Sequence, residues 1–178
     1  NYMILSKKLW GPKTWYMLHA FSINNNLKIS DKNKHKYYIF YTSLLYIIPC
    51  EICKRHYTEI LNILNPIEED KITRNYIKKW VYDTHNLVND FLNKPKYDYS
   101  KLKDDYKQID HVNIFYILIL LIKNFDFNDM SIFTYDHLYN FFINFCYLYP
   151  NKEIKLRLKK LLDRTDFYKI QTPKKFEK

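Results

Sequence analysis

Pro49-Cys50-Glu51-Ile52-Cys53-Lys54-Arg55-His56-Tyr57-Thr58-Glu59-Ile60-Leu61 decides how this 178-residue chain folds. Proline halts the aromatic-rich run before it, because its ring clashes with the preceding turn and it has no N–H to extend the ladder. The same residue suits a helix start, where that N–H has no partner in any case. The stretch therefore predicts two helices meeting at Pro49, one through Tyr37 to Ile48 and one from Cys50 to Leu61. Two of only three cysteines stand at this junction, three residues apart. That spacing puts them on one helix face, within reach of a disulfide after small local adjustment. A helix N-terminus carries partial positive charge, which lowers a thiol pKa and favours the thiolate, and Lys54 and Arg55 add to it. The local physics points to dithiol/disulfide chemistry. Two plainer readings stay open on these residues alone. Cys50, Cys53 and His56 form half of a zinc site, short of a fourth ligand and a second CxxC, or the cysteines are ordinary helix residues. No metal is expected, and with no βαβ pattern a thioredoxin-like reading fails.

Outward from this junction the chain reads as all-α. It has one glycine, Gly11, and six prolines, far too little turn chemistry for a β-rich fold. Hydrophobic residues make up 47% and aromatics 19%, the composition of a folded protein. Trp10-Gly11-Pro12 reads as a helix entry, with a first helix over about Thr14 to Asn24 that puts Trp15, Leu18, His19 and Ser22 on one face. Asp31 is the expected N-cap of the second helix. Asn65-Pro66 closes the third, and Thr73 caps a fourth that carries Tyr76, Ile77, Trp80, Val81, Leu87, Val88 and Phe91. Lys94-Pro95 ends it, an irregular piece follows to Lys107, and three further helical patterns cover about 109–124, 133–148 and 152–164. The expected domains are 1–107 and 108–178.

The formal net charge is +10. It is spread along the sequence, with 18 basic and 11 acidic residues in 1–107 and 11 and 8 in 108–178. A modest cluster at Lys152, Lys155, Arg157, Lys159, Lys160 and Arg164 reads as a solvated helix face, so nucleic acid is not an expected partner. Three cysteines are too few for a secreted disulfide framework. No signal peptide is read, and the longest apolar run, Ile114 to Ile122, is too short to cross a bilayer. A soluble protein without a membrane partner is expected. Cys146, inside an aromatic stretch, is expected to be a buried apolar cysteine.

Three short patterns accompany the CxxC. Trp15 and His19 are one helical turn apart, so an indole and an imidazole can flank one flat ligand. His85, Asn86 and Asn89 put three hydrogen-bonding side chains along one face of an otherwise apolar helix that also carries Trp80 and Val88. Lys94 follows, placed to meet a phosphate. Aromatic planes with a few fixed polar groups at the ring edges are what a flavin or adenine requires.

In this arrangement the chain resembles the Erv/ALR family of FAD-linked sulfhydryl oxidases. The family's G-x-x-x-W-x-x-x-H, P-C-x-x-C and W-x-x-x-x-H-N-x-V-N with a following K-P occur in order at Gly11/Trp15/His19, Pro49/Cys50/Cys53, Trp80/His85/Asn86/Val88/Asn89 and Lys94/Pro95. The resemblance implies a four-helix bundle plus a short fifth helix binding FAD, over roughly residues 8 to 107. It implies that Cys50 and Cys53 are catalytic, Cys53 beside the flavin and Cys50 attacked by incoming thiols. It further implies that Gly11, Trp15, His19, Trp80, His85, Asn86, Val88, Asn89, Lys94 and Tyr106 form the cofactor site. Tyr106 stands where the family has a tryptophan. Protein thiols are then the substrates, dioxygen the final acceptor yielding hydrogen peroxide, and a homodimer the assembly. Tyr16, Phe21 and Ile23 of the first helix are the expected contact surface. Two departures stand out. Tyr82 and Tyr99 replace a structural cysteine pair, so their rings are expected to hold that segment, and the family's shuttle cysteine pair is not in this sequence. Both, with the AT-rich coding suggested by abundant Lys, Asn, Ile and Tyr, look like a giant-virus member, in host cytoplasm or virion. The region after 107 resembles the extra helical domain of such enzymes. A different reading keeps the fold without catalysis, as a helical scaffold with the basic 152–164 segment as its contact.

Overall fold

The structure, a computed structural model, describes residues 6–24, 29–123 and 132–164. Among these residues all regular structure is helical. The helices are α1 (Lys7–Asn24), α2 (Asp31–Ile47), α3 (Glu51–Glu59), α4 (Arg74–Phe91), the short α5 (Leu102–Asp105), α6 (His111–Lys123), α7 (Ile132–Leu148) and α8 (Lys152–Arg164). A single π-type turn, Ile60–Leu64, extends α3. The three C-terminal helices fall within a residue or two of their expected ranges.

Three local expectations are corrected. α1 starts at Lys7 rather than near Thr14, and Pro12 lies inside it. The helix is nucleated upstream, where the Leu9 and Trp10 N–H groups bond the Ser6 carbonyl at 2.8 and 3.2 Å. Pro12, in the second turn, gives up one N–H bond to the Lys8 carbonyl, a local cost that the upstream start imposes. Ser30, not Asp31, occupies the N-cap of α2, and Asp31 sits in the first turn, where a carboxylate suits the helix dipole. Cys50 precedes α3 as its N-cap instead of opening the helix. Thr73 caps α4 as expected, its Oγ1 accepting from Tyr76 N–H at 3.1 Å.

The core sits where α1 packs on α4 and α6, and α2 on α7. Phe21 stacks on Phe40 and Phe145, both at 5.1 Å, and meets Tyr149 edge-on. Phe40 stacks in turn on Phe141 at 5.0 Å. Each aromatic pair adds about 0.5–1.5 kcal/mol beyond its buried area. Phe21 is wholly buried, so it is not the exposed contact surface expected of it; the chain's own α6 and α7 cover that side of α1 and α2. Tyr16 is engaged there too, since its hydroxyl donates to the Gln108 carbonyl and accepts from Asp110 N–H at 2.7 Å. Cys146 is buried, and burial pushes its thiol up to about 12.

Polar groups lock the other side. Tyr57 donates to the Tyr41 carbonyl at 2.8 Å, and Tyr41 to that of Leu18 at 3.2 Å, tying α3 to α2 and α2 to α1. Asn65 donates to the Trp80 carbonyl and to Thr84 Oγ1, while Trp80 Nε1–H donates to the Asn65 carbonyl at 2.9 Å. Tyr82 and Tyr99 meet edge-to-face at 4.8 Å, so an aromatic contact joins the two positions, as expected. No helix among the described residues is long and apolar enough to cross a membrane.

Candidate active site

The turn between α2 and α3 is set by Pro49. Ile48, restricted by the following proline, is extended at φ −64°, ψ 121°, and Cys50 is extended at φ −149°, ψ 113°. As N-cap, Cys50 points its sulfur back over the first turn, where Sγ accepts from Cys53 N–H at 3.4 Å. Cys50 and Cys53 are joined in a disulfide with their Cα atoms 5.2 Å apart. Both are half-buried, so the bond has protein on one side and solvent access on the other. When the bond opens, the same N–H and the helix dipole are in place to stabilise a thiolate at Cys50. His56, one turn beyond Cys53, stacks on Phe91 at 4.3 Å and is turned away from any shared ligand set with the cysteines. That contact sets α3 against the C-terminal end of α4. Among the described residues no group of His, Cys, Asp and Glu is placed to hold a metal.

A ring cluster lies between α1, α4 and the segment after α4. Trp15 stacks on His85 at 4.2 Å with planes 10° apart. His19 stacks on Tyr106 at 4.8 Å, and His19 Nε2 lies 2.9 Å from His85 Nδ1, so the two imidazoles share one proton in a hydrogen bond. Asn86 Oδ1 accepts from Tyr97 N–H at 2.7 Å, folding the segment after Lys94 back over α4. Lys94 is exposed, and its backbone N–H bonds the Asn89 carbonyl at 2.9 Å, closing the helix. Asn93, at φ 52°, makes that reversal in the left-handed region that asparagine tolerates.

The structure thus brings Trp15, His19, His85, Asn86 and Tyr106 together, with Asn89 and Val88 on the next turn of α4. Trp80 does not join the rings: it packs edge-on against Tyr41 and its N–H is committed to Asn65. Gly11 sits a turn before Trp15, and a Cβ there would meet nothing within 4 Å, so protein packing does not demand glycine at that point. Tyr97 is a member the sequence reading missed. It stacks on His85 at 5.8 Å, lies 5.8 Å from His19, and hydrogen-bonds Asp105 through its hydroxyl. Its signal was faint, an aromatic two residues past Lys94-Pro95 in a segment without periodicity.

Burial pushes His19 down to about 3, with His85 adding to the effect, and it pushes His85 down to about 4, with Lys94 adding. Both are therefore neutral at pH 7 and act as one donor–acceptor pair. Burial raises Tyr106 to about 12, aided by Asp105. One atom is left over: His19 Nδ1 is buried without a hydrogen-bond partner. An orphan of this kind costs about 1–3 kcal/mol. It is satisfied if a ligand brings a polar edge against it. Flat rings, an unmatched buried nitrogen, amide groups and the Lys94 ammonium are a donor set that suits a ring system carrying phosphates, and FAD fits it.

The described residues thus form a helical bundle with a disulfide at the N-cap of α3 and a cluster of stacked rings between α1 and α4. A model of the Erv1 / Alr family matches residues 12–107, and the chain belongs to that family. It is 30% identical over 97 residues to a probable FAD-linked sulfhydryl oxidase of Acanthamoeba polyphaga mimivirus, covering 54% of this chain and 68% of that one. It is 29% identical over 90 residues to a putative FAD-linked sulfhydryl oxidase of Frog virus 3, covering 48% and 58%. It is 29% identical over 99 residues to the FAD-linked sulfhydryl oxidase of African swine fever virus (isolate Pig/Kenya/KEN-50/1950), covering 56% and 81%. No solved structure matches the chain significantly.

Proposed function

We propose that the chain is an FAD-linked thiol oxidase that makes disulfides in protein substrates. The observation that carries this reading is the Cys50–Cys53 disulfide at the N-cap of α3, half-exposed and with a backbone N–H on Cys50 Sγ. Family membership and the names of the relatives support the cofactor. A substrate thiolate attacks Cys50 Sγ, forming a mixed disulfide and releasing Cys53 as a thiolate. A second substrate thiol displaces Cys50, so the substrate leaves as a disulfide and Cys50 and Cys53 are left reduced, with two electrons and two protons gained. FAD, when bound, supplies the two-electron acceptor that reoxidises this pair and passes the electrons to dioxygen, giving hydrogen peroxide.

Toward that group the chain supplies Trp15 and His85 as planes, His19 and Asn89 as polar edges, and Lys94 as the phosphate partner. Asn86 holds Tyr97, and through it the covering segment, in place. Gly11 and Val88 line the approach, Tyr106 closes the His19 side, and Trp80 supports α4 from the core. The Cys53 sulfur is assigned the flavin side and Cys50 the substrate side. A homodimer remains the proposed assembly, its contact moved outward from α1 to α6, where Val112, Tyr116 and Ile119 recur at helical spacing and stay exposed. Light scattering at twice 22.1 kDa is the expected result, and the monomer mass would rule it out. The viral relatives support a viral origin, and the infected cell's cytoplasm or the virion is the location proposed. The activity is tested with an oxygen electrode. With dithiothreitol the FAD-loaded protein should consume oxygen and release peroxide one for one. A protein that binds FAD yet consumes no oxygen with any dithiol would overturn the reading.

A further inference from the structure

Cations that are far apart in the sequence meet in the fold. α2 carries Lys32, Lys34 and Lys36 against Asp31, and α8 carries six cations against Glu153 and Asp163, so these two helices hold six of the chain's ten net positive charges. They converge on one ring of α7. Lys36 Nζ from α2 lies 5.0 Å from the centroid of Tyr147, and Lys159 Nζ from α8 lies 4.6 Å from it. Lys32 stands one turn before Lys36, and Lys155 one turn before Lys159, so each lysine at the ring has a like-charged neighbour on its own helix. Lys36, Lys155 and Lys159 are all half-buried. Among the described residues none of the four lysines has a carboxylate within ion-pair distance, whereas Lys34 and Arg157 beside them are paired with Asp31 and Glu153. The one polar side-chain partner in the group is Asn33, whose Oδ1 accepts from Lys36 at 3.2 Å.

Half-burying ammonium groups together without a counter-charge is unfavourable twice over, through lost hydration and through mutual repulsion. Both effects are visible: burial, then Lys32 and Lys159, pull Lys36 below the usual lysine range, and burial, then Lys159, does the same to Lys155. A multivalent anion removes both penalties. We propose that Lys36, Lys155 and Lys159, with Lys32 at the rim, form a binding site for a small phosphate-bearing anion between α2 and α8. A monovalent carboxylate offsets one ammonium and leaves the others in repulsion, while a phosphoryl group offers two or more charges and oxygens in several directions, which suits lysines acting as point charges. Lys36 and Lys159 meet at one ring, each with a like-charged neighbour a turn away, which suits a single phosphoryl group better than a nucleic-acid backbone, whose phosphates need a charged track. Lys36 lies eleven residues before the end of α2, about 16 Å along the helix from the Pro49 turn. The site is therefore separate from the disulfide and the ring cluster.

The test titrates the 178-residue chain with sodium pyrophosphate by calorimetry at fixed ionic strength. One saturable site per chain is expected, weakened about tenfold or more in Lys36→Met combined with Lys159→Met and, more mildly, in Lys155→Met. Without pyrophosphate the double variant should be at least as heat-stable as the parent, because repulsion has been removed, so lost binding will not reflect lost folding. Absence of saturable heat up to millimolar pyrophosphate, or undiminished binding in the double variant, overturns the proposal. So does preference for phosphatidylserine–phosphatidylcholine vesicles or a single-stranded oligonucleotide over pyrophosphate at equal phosphate concentration. Flavin absorbance is untouched by any of these outcomes, so they bear only on this site.

Discussion

Replacing His19 by leucine should separate what this histidine does for the fold from what it does for a ligand. His19 is fully buried, and a fully buried side chain normally costs several kcal/mol to replace by one of different shape. Here the terms oppose one another. The substitution removes the orphaned Nδ1, a gain of about 1–3 kcal/mol. It gives up the hydrogen bond to His85, about 0.5–1.5 kcal/mol, and the stack on Tyr106, about the same. The flavin-free protein should thus change stability by less than about 1 kcal/mol, in either direction, in urea unfolding. FAD affinity should fall by about ten- to a hundredfold, because a ligand edge loses its buried partner. Fluorescence titration of FAD into both proteins reads the second quantity. A flavin-free variant destabilised by about 3 kcal/mol or more with unchanged FAD affinity would show that His19 is an ordinary core residue.

Acidification should unfold the flavin-free protein early. Folded-state values near 3 and 4 for His19 and His85 lie below the unfolded histidine value, so the unfolded chain binds more protons between them. Stability is then fully present above the unfolded value and falls as pH drops from about 6.5 toward 4, with a shallower slope in His19→Leu; urea midpoints between pH 7 and 4.5 read it. A Tyr82→Ala, Tyr99→Ala double-mutant cycle should give a coupling of about 0.5–1.5 kcal/mol by thermal denaturation, and additive effects would show that the ring contact holds nothing. Cys50→Ser and Cys53→Ser should each abolish thiol oxidation while FAD stays bound. Only Cys50→Ser should show a long-wavelength charge-transfer band, and the band in the other variant would reverse the assignment of the two sulfurs.

Much of this was legible in the chain because it depends on local chemistry. A proline between an apolar run and a CxxC marks a helix junction wherever it occurs, and the structure adds only that Cys50 caps the helix. Trp15 with His19, and His85 with Asn86 and Asn89, could be grouped because one-turn spacing fixes a shared face. What depends on tertiary contact was not legible. Pro12 marked a helix entry, but the nucleating bonds come from Ser6 upstream. Tyr97 reaches the rings only because Asn86 captures its N–H. Phe21 was placed on a contact surface because a periodic pattern shows that a face is covered and not by what; here α7 covers it. The charge appeared spread because Lys36 and Lys159 become neighbours only once α2 and α8 both pack against α7, over Tyr147.

The visible absorption spectrum of the purified, FAD-supplemented chain, recorded before and after dithiothreitol under limited air, tests the central claim most directly. A bound flavin band that bleaches on reduction, returns as oxygen is admitted, and fails to bleach at comparable rate in Cys50→Ser is the predicted result. A folded chain that stays colourless after exposure to FAD, or a bound flavin whose bleaching is indifferent to Cys50, would contradict the account.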